Sequence, residues 1–531
     1  MNSRDKKYYD SRLQDIKLED ITSSPRNIHV LEKFLRGDPN FTKLCVDIRL
    51  EDDSDSDDDY ENEEYIEYET DYEGGDDLGW LGYFIGRSEH LKELHITDLP
   101  YHPADSHIEQ MNALTREISR NRSIVELSMQ HDIGDIAFRN MCSFVGENNN
   151  LRKLELHHMK PGNESIKHFA LVLEQRQCNS LQELSFDDND FVDPPIEAIA
   201  AALSRQAALE RLELKENYLG ATGCAALGTT LSTWQAPKLK ILNFYLNCID
   251  DAGLEGLVAG LVNCTKLEEL ILSYNPSITA AGLRSLAALF QSEHCCLKKF
   301  RIDGVHFGDE GAIALADALV GNTSLEEMSL YIRPDYADDE KAFITQVGWS
   351  AFTDRLLCDT SSAISTYQSN HTLVSVTSDD RGDLPSFVEE YLQLNRFIVM
   401  RGDVKVDLIA VIKILTHHTD LEMESFFKWD LKCLPIVVTW FQMVRDILDE
   451  LDALQEENMS DENIWNEVHL GLEHEDFPMF VDMAIKMSQT SQIDSMELSS
   501  IFKFVRAMPK LVVNSIRGKG KGESRKRKAS D

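Results

Sequence analysis

The chain has 531 residues, with 53 lysines and arginines against 92 aspartates and glutamates, a formal net charge of −39. So acidic a body repels nucleic acid and favours a basic or cationic partner, and the length suffices to bury a large core or one long repeat domain. The opening MNSRDKKYYDSRLQD is polar and no run of 18 apolar residues follows, so neither a secretory leader nor a membrane span is expected.

Residues 1–27 read as a polar N-terminal segment, followed by a helix near Val30 to Leu35 and a strand at Phe41 to Ile48. Residues 51–77 then hold sixteen acidic residues and no basic one. Like charges repel and little apolar surface is available, so this run is expected to be a disordered loop extruded between the strand and a helix at Leu78–Ile85. It reads either as a solvating loop or as a lure for a basic protein. Ser54 and Ser56 precede acidic residues and are phosphorylation candidates.

From Leu151 onward a repeat governs the chain. Leu151, Leu181, Leu209, Leu239, Leu267, Leu297 and Leu325 each open an L-x-x-L-x-L stretch, at alternating steps of 30 and 28 residues. A period of this size marks a solenoid in the leucine-rich-repeat range. Leu209, Leu212 and Leu214 point inward from a short strand, Asn217 follows, and Leu219 begins the return; Asn247 and Asn275 fill the same slot. A buried amide there can bond backbone groups left unpaired by the bend. The second half of each unit has apolar residues three and four apart, as in Leu254, Leu257 and Leu261, which predicts an outer amphipathic helix. Gly223, Gly253, Gly282 and Gly311 stand near the helix starts. Less regular units precede this block at Leu91 and Ile124. Another follows at Leu373 after an insertion from about Pro334 to Ser369, giving about eleven units over 28–400. The fold class is α/β, a curved parallel sheet inside and helices outside.

These L-x-x-L-x-L-x-x-N-x-L strings and the alternating step resemble the ribonuclease-inhibitor-like class of leucine-rich repeat, over roughly 70% of the chain by repeat periodicity. The resemblance implies the solenoid and a binding role. It does not choose among inhibitors, GTPase regulators and receptor sensing domains.

Between 401 and 512 the repeat gives way to helical periodicity, read as an all-α C-terminal cap. Its aromatic residues Phe426, Phe427, Trp429, Trp440 and Phe441 read as core. FFKWDLKCLP at 426–435 and FVRAMPKLV at 504–512 resemble the closing segments of uncharacterised leucine-rich-repeat proteins from single-celled algae. The tail 513–531 is basic and rich in glycine and serine, so it is expected to be disordered. Arg525, Lys526, Arg527 and Lys528 form a short run of the nuclear-import type, and Ser530 beside it is a third phosphorylation candidate.

No catalytic constellation, cofactor motif or metal set emerges. GKGKGES lacks phosphate-loop spacing, and the pairs His157-His158 and His417-His418 lack a third ligand. The ten cysteines form no C-x-x-C pair and read as reduced thiols. The two Arg-Gly-Asp triplets read as turns. The sequons at Asn121, Asn263, Asn322 and Asn370 each precede a repeat strand, which argues for loop chemistry rather than glycosylation.

Outward strand positions place Asp187, Asp188, Glu213, Lys215, Tyr245, Tyr274, Arg301, Asp303 and Tyr331 on the concave face. Exposed tyrosines among charges have the composition of an interface. The expectation is a monomeric, non-enzymatic scaffold in the nucleus or cytoplasm that holds a protein partner, basic or otherwise, across this face. A Ran-type GTPase-activating regulator, with a small GTPase as partner, and an acidic histone-chaperone-like binder are the alternatives.

Overall fold

The computed structural model describes residues 6–48, 71–73, 78–97, 105–130, 132–176, 180–234, 238–331, 343–378, 384–399, 409–410, 413–414 and 417. The chain forms two compact units, 1–348 with 376–383, and 349–375 with 384–531.

Twelve strands form one sheet among the described residues: β1 (Lys43–Asp47), β2 (Asp71–Glu73), β3 (Glu93–Thr97), β4 (Glu126–Gln130), β5 (Lys153–His157), β6 (Glu183–Ser185), β7 (Arg211–Glu213), β8 (Ile241–Asn243), β9 (Glu269–Ile271), β10 (Lys299–Arg301), β11 (Glu327–Ser329) and β12 (Ser375–Thr377). Neighbours follow chain order, except that β2 lies outside β1 at the edge. Pairing from β2 to β11 is parallel and keeps the repeat phase, with Leu154, Leu184, Leu212, Leu242, Leu270, Phe300 and Met328 in one row. The opening leucine and the third and fifth residues after it are buried in each unit; Leu239, Leu242 and Phe244 are all 0% exposed. An inner layer of leucines on every strand therefore packs against the helices, and this burial is the main driving force for stacking.

What ends each strand is a left-handed residue seven positions after the opening leucine: His158, Asp188, Glu216, Leu246, Tyr274 and Gly304, with φ from 49° to 67°. Only one of the six is glycine, so the surroundings must impose a conformation that costs a side-chain-bearing residue roughly 1–2 kcal/mol. In four of the six the next residue is an asparagine that supplies the restraint. Asn247 donates through Nδ2 to the Leu214 and Tyr245 carbonyls, at 2.8 and 3.2 Å, and accepts from the Leu219 N–H at 3.0 Å. Asn217 bonds Phe186 O, Lys215 O, Asn189 N and Phe191 N in the same way. Asn275 bonds Phe244 O and Ile249 N. Asn189, hidden in the sequence by its acidic neighbours, continues the row to Leu156 O and Met159 N.

A second row staples alternate helices. Asp135, Asp193, Asp251 and Asp309 recur every 58 residues, the sum of one long and one short step. Each lies at the start of its own helix and accepts hydrogen bonds from the start of the next. Asp251 takes Thr279 N, Thr279 Oγ1 and Gly282 N at 2.7, 2.7 and 2.9 Å. Asp309 takes Thr345 N, Thr345 Oγ1 and Gly348 N. The Ser165 hydroxyl, seconded by Gly162 N, holds Asp135 below the ordinary carboxylate range. Burial opposes ionisation of Asp193 and Asp251, but the Thr222 and Thr279 hydroxyls and nearby amides outweigh it and depress both. A depressed folded-state pKa gives stability that is present above the unfolded value of about 3.9 and lost as pH falls through the folded value. Thermal melting is therefore expected to drop below about pH 4, and Asp251→Asn to flatten that drop while costing about 1 kcal/mol at neutral pH, because these carboxylates are largely solvated. An unchanged acid limb in the variant would remove Asp251 from the account.

Two expectations are corrected at the N-terminal end. Residues 1–27 are not simply a polar segment: Lys6–Arg12 is a helix whose Tyr9 is 0% exposed, edge-on to Trp80 at 4.8 Å. Asp10 accepts the Tyr83 hydroxyl at 2.7 Å and pairs with Arg87 at 2.8 Å. Nor is the whole acidic run a disordered loop, since Asp71–Glu73 pairs with Cys45–Asp47. The reason is Tyr72, 0% exposed, an apolar anchor inside the charge run.

In the second unit, Lys413 is fully buried and its Nζ bonds Leu357 O at 2.6 Å and Asn370 O at 3.1 Å, with His371 Nδ1 at 3.2 Å. His371 Nε2 lies 3.1 Å from the Tyr367 carbonyl, so Nε2 carries the proton and Nδ1 accepts. Three acceptors match the three donors of an ammonium, although burial draws this amine down to about 7. The C-terminal helical region expected at 401–512 lies outside the described residues except for helical positions 409, 410, 413, 414 and 417.

Candidate concave interface

Parallel register places the second, fourth and sixth residues after each opening leucine in three rows across the inner face of the first unit. These rows divide into regions of different chemistry.

From β5 to β7 the face is an ion-pair network. Lys215 bonds Asp187 at 2.9 Å and Glu213 at 3.1 Å; Arg211 bonds Glu213 at 2.9 Å; Lys153 bonds Glu155 at 2.9 Å. Burial opposes the charge on both Glu213 and Lys215. Lys215 and Arg211 nevertheless hold Glu213 below its usual range, while Asp187 and Glu213 hold Lys215 above its own. His157 lies 3.1 Å from Ser185 Oγ and is kept mostly neutral by burial, against the pull of Asp187. Asp188 does not join this network. It occupies the left-handed turn on the rim and pairs with His158 at 2.7 Å.

Over β8 and β9 the charges thin to an apolar island interrupted by Glu269, Asn243 and Ser273. Ile241 and Ile271 are half-buried on diagonal positions of paired strands. The Tyr245 and Tyr274 rings meet at 5.0 Å and 58°, and Leu246 beside them is 43% exposed. Neither isoleucine nor Leu246 is among the sequence-derived candidates. The position rule that selects Tyr245 also selects both isoleucines, which attention to polar residues hides.

Beyond the island, Arg301 bonds Glu269 at 3.2 Å and Lys299 bonds Glu327 at 2.8 Å. Asp303 accepts from Ser273 Oγ, Ser329 Oγ and the Tyr331 N–H. The nine predicted positions thus fall into four settings: Asp187, Glu213 and Lys215 in one network, Asp188 on the rim, Tyr245 and Tyr274 as a pair, and Arg301, Asp303 and Tyr331 beyond it.

Other sequence candidates find structural partners. Asn121, Asn322 and Asn370 are 0%, 3% and 2% exposed, and each carbonyl oxygen accepts two N–H groups just before the following strand. Asn263 lies 3.5 Å from Gly260 O. His417 meets the Tyr391 hydroxyl at 2.9 Å. The cysteines described are free, and burial pushes the thiols of Cys142, Cys224 and Cys264 up to about 12, far from reactivity. Among the described residues no group of three metal-ligating side chains forms, and no helix is long and apolar enough to cross a membrane. Ser54, Ser56, Ser530, Arg525, Lys526, Arg527 and Lys528 lie outside the described residues, as do both Arg-Gly-Asp triplets.

Comparison with known proteins agrees with this geometry. A family model described as leucine-rich repeat matches residues 235–258 and 263–287, the two units that carry the island. Pig (Sus scrofa) ribonuclease inhibitor is 29% identical over 190 residues, 35% of this chain and 41% of that protein. Mouse (Mus musculus) NACHT, LRR and PYD domains-containing protein 5 is 26% identical over 265 residues, 48% of this chain and 22% of the relative. The bovine (Bos taurus) NACHT, LRR and PYD domains-containing protein 3 is 30% identical over 211 residues, 38% of this chain and 19% of the relative. The chain therefore spans less than half the length of each of these relatives.

Proposed function

The chain is a leucine-rich-repeat protein of the ribonuclease-inhibitor-like class, and from that premise we propose that it is a non-enzymatic scaffold whose concave face grips a protein partner. Repeats of this class serve protein–protein interaction. The observation that carries the finer reading is the apolar island of Ile241, Tyr245, Leu246, Ile271 and Tyr274, set between two regions of ion-paired side chains. An apolar patch flanked by charged side chains has the composition of a binding hot spot. The surrounding ion pairs hold the rim side chains in place, which lowers the entropy lost on binding. Nuclear residence, through the basic run at 525–528, and a monomeric state complete the proposal.

Ile271→Glu is expected to weaken capture of the partner by about thirtyfold or more, since placing a charge in a hot spot costs roughly 2 kcal/mol or more. Affinity capture with the intact chain and the variant, washed at low and high salt and read by mass spectrometry, measures this. Equal recovery of every partner by both chains at both salt levels would refute the concave-face reading.

A further inference from the structure

Asp187 and Asp303 occupy the same place in the repeat, six residues after the opening leucines Leu181 and Leu297. In both, Oδ1 accepts the backbone N–H of the equivalent residue on the next strand, Lys215 at 3.1 Å and Tyr331 at 2.8 Å. In both, the preceding strand turns a polar side chain to Oδ2, His157 at 3.6 Å and Ser273 at 3.1 Å. The two sites differ in their cation. Asp187 Oδ2 holds the ammonium of Lys215 at 2.9 Å. At the second site Tyr331 stands where Lys215 stands at the first, and among the described residues no basic side chain pairs with Asp303. Arg301, two residues earlier at the end of β10, is directed to Glu269.

Asp303 is well prepared for such a ligand. A carboxylate can accept about four hydrogen bonds; Asp303 receives those from Ser273, Ser329 and Tyr331, and its Oδ2 accepts only the first of them. These donors fix the carboxylate without neutralising it. The Tyr274 ring rests on Gly304, where an added Cβ would come within 2.7 Å of Cδ1, and the Tyr245 ring lies against Tyr274. Gly304 thus opens the space that places an aromatic surface one residue from the charge.

We propose that Asp303 is a subsite for a lysine or arginine side chain of the protein partner, bound in trans where Lys215 serves Asp187 in cis. The neighbouring tyrosines supply a surface for the aliphatic stem of that side chain. Charge complementarity selects this occupant, since among the described residues no cation pairs with this carboxylate, in a chain of net charge −39. This inference rests on the concave face being the binding face.

The test follows methyl signals of the full chain, Ile271 above all, during titration with n-butylguanidinium and with its neutral counterpart 1-pentanol. The guanidinium is expected to bind saturably and the alcohol not. Asp303→Asn should weaken binding about tenfold or more, the scale of one charge-assisted hydrogen bond. Tyr331→Lys, which rebuilds the Asp187–Lys215 pair within the chain, should block binding to a similar extent. Glu174→Gln, on an exposed helix face, should leave it unchanged. Equal shifts with both compounds, or undiminished guanidinium binding in a folded Tyr331→Lys chain, would overturn the subsite. A partner lost with Ile271→Glu but insensitive to Tyr331→Lys would sink this subsite alone. Guanidinium binding beside an Ile271→Glu chain that keeps every partner would instead sink the function proposed above.

Discussion

Replacing Asn247 with leucine is expected to lower the stability of the repeat block by about 3–5 kcal/mol, one of the largest losses available from a single side chain. The side chain is 5% exposed, so water cannot take over its hydrogen bonds. Its removal strips the Leu219 N–H and the Leu214 carbonyl of their amide partner. Each buried polar group left unsatisfied costs roughly 1–3 kcal/mol. The substitution also frees Leu246, which holds a φ of 51° under the restraint of this bend. Because repeats are stabilised mainly by their neighbours, the damage should spread to the adjoining units. Denaturant unfolding compared with Asn263→Ala, whose amide makes one long contact at 3.5 Å, measures the effect. A loss below about 1 kcal/mol would mean that the leucine core alone sets the bend.

Gly228→Val should cost about as much, by a different route. Gly228 lies in the helix Ala221–Trp234, packed against the helix Asp251–Leu261. A Cβ at Gly228 would lie 2.0 Å from the Gly256 carbonyl oxygen, and one at Gly260 would lie 2.1 Å from the Gly228 carbonyl oxygen. Two backbones in such contact have no side chain that can turn aside, so the helices must separate. Overpacking costs about 1–3 kcal/mol where side chains can adjust and more where backbone must move. Helix propensity does not offset this, because valine gains only a few tenths of a kcal/mol over glycine. Since these helices form the convex layer, forcing them apart should also alter the curvature beneath the island. Thr229→Ala, on the exposed side of the same helix, serves as the control, and a Gly228→Val melting curve matching it would contradict the close-packed arrangement.

How much of this was legible in the sequence depends on the range of the interaction. The strand phase, the parallel sheet and the outer helices follow from leucines at fixed steps, because burial imposes that period directly. Asn217, Asn247 and Asn275 were readable as polar residues in an apolar slot, whereas Asn189 was masked by Asp187, Asp188 and Asp190. The left-handed turn was not legible: histidine, aspartate, glutamate, leucine and tyrosine all occupy it, since the bend dictates it, with an asparagine following in every case but His158 and Gly304. Tyr9 and Tyr72 are single anchors in short elements, too brief to show any period. The pairing of Lys215 with Asp187 requires the register between units rather than the pattern within one. With that register in hand, the contrast between Lys215 and Tyr331 becomes visible, and so does the lack of a paired cation at Asp303 among the described residues. The close approach of Gly228 to Gly256 depends on helix crossing, which no local pattern encodes.

The structure also changes how the acidic segment should be tested. Because Asp71–Glu73 is a strand with Tyr72 in the core, a deletion that probes the acidic run must stop at residue 70. If the segment only adds electrostatic attraction, its removal should slow association and weaken the salt dependence while leaving high-salt capture intact.

The most direct test of the central claim is photo-crosslinking in cell extract, with a photoreactive amino acid in place of Ile271 on the concave face or of Leu171, which is 51% exposed on an outer helix. The account predicts that position 271 captures a discrete protein adduct and that position 171 does not. Adducts formed from position 171 and absent from position 271 would place binding on the helical side and contradict it.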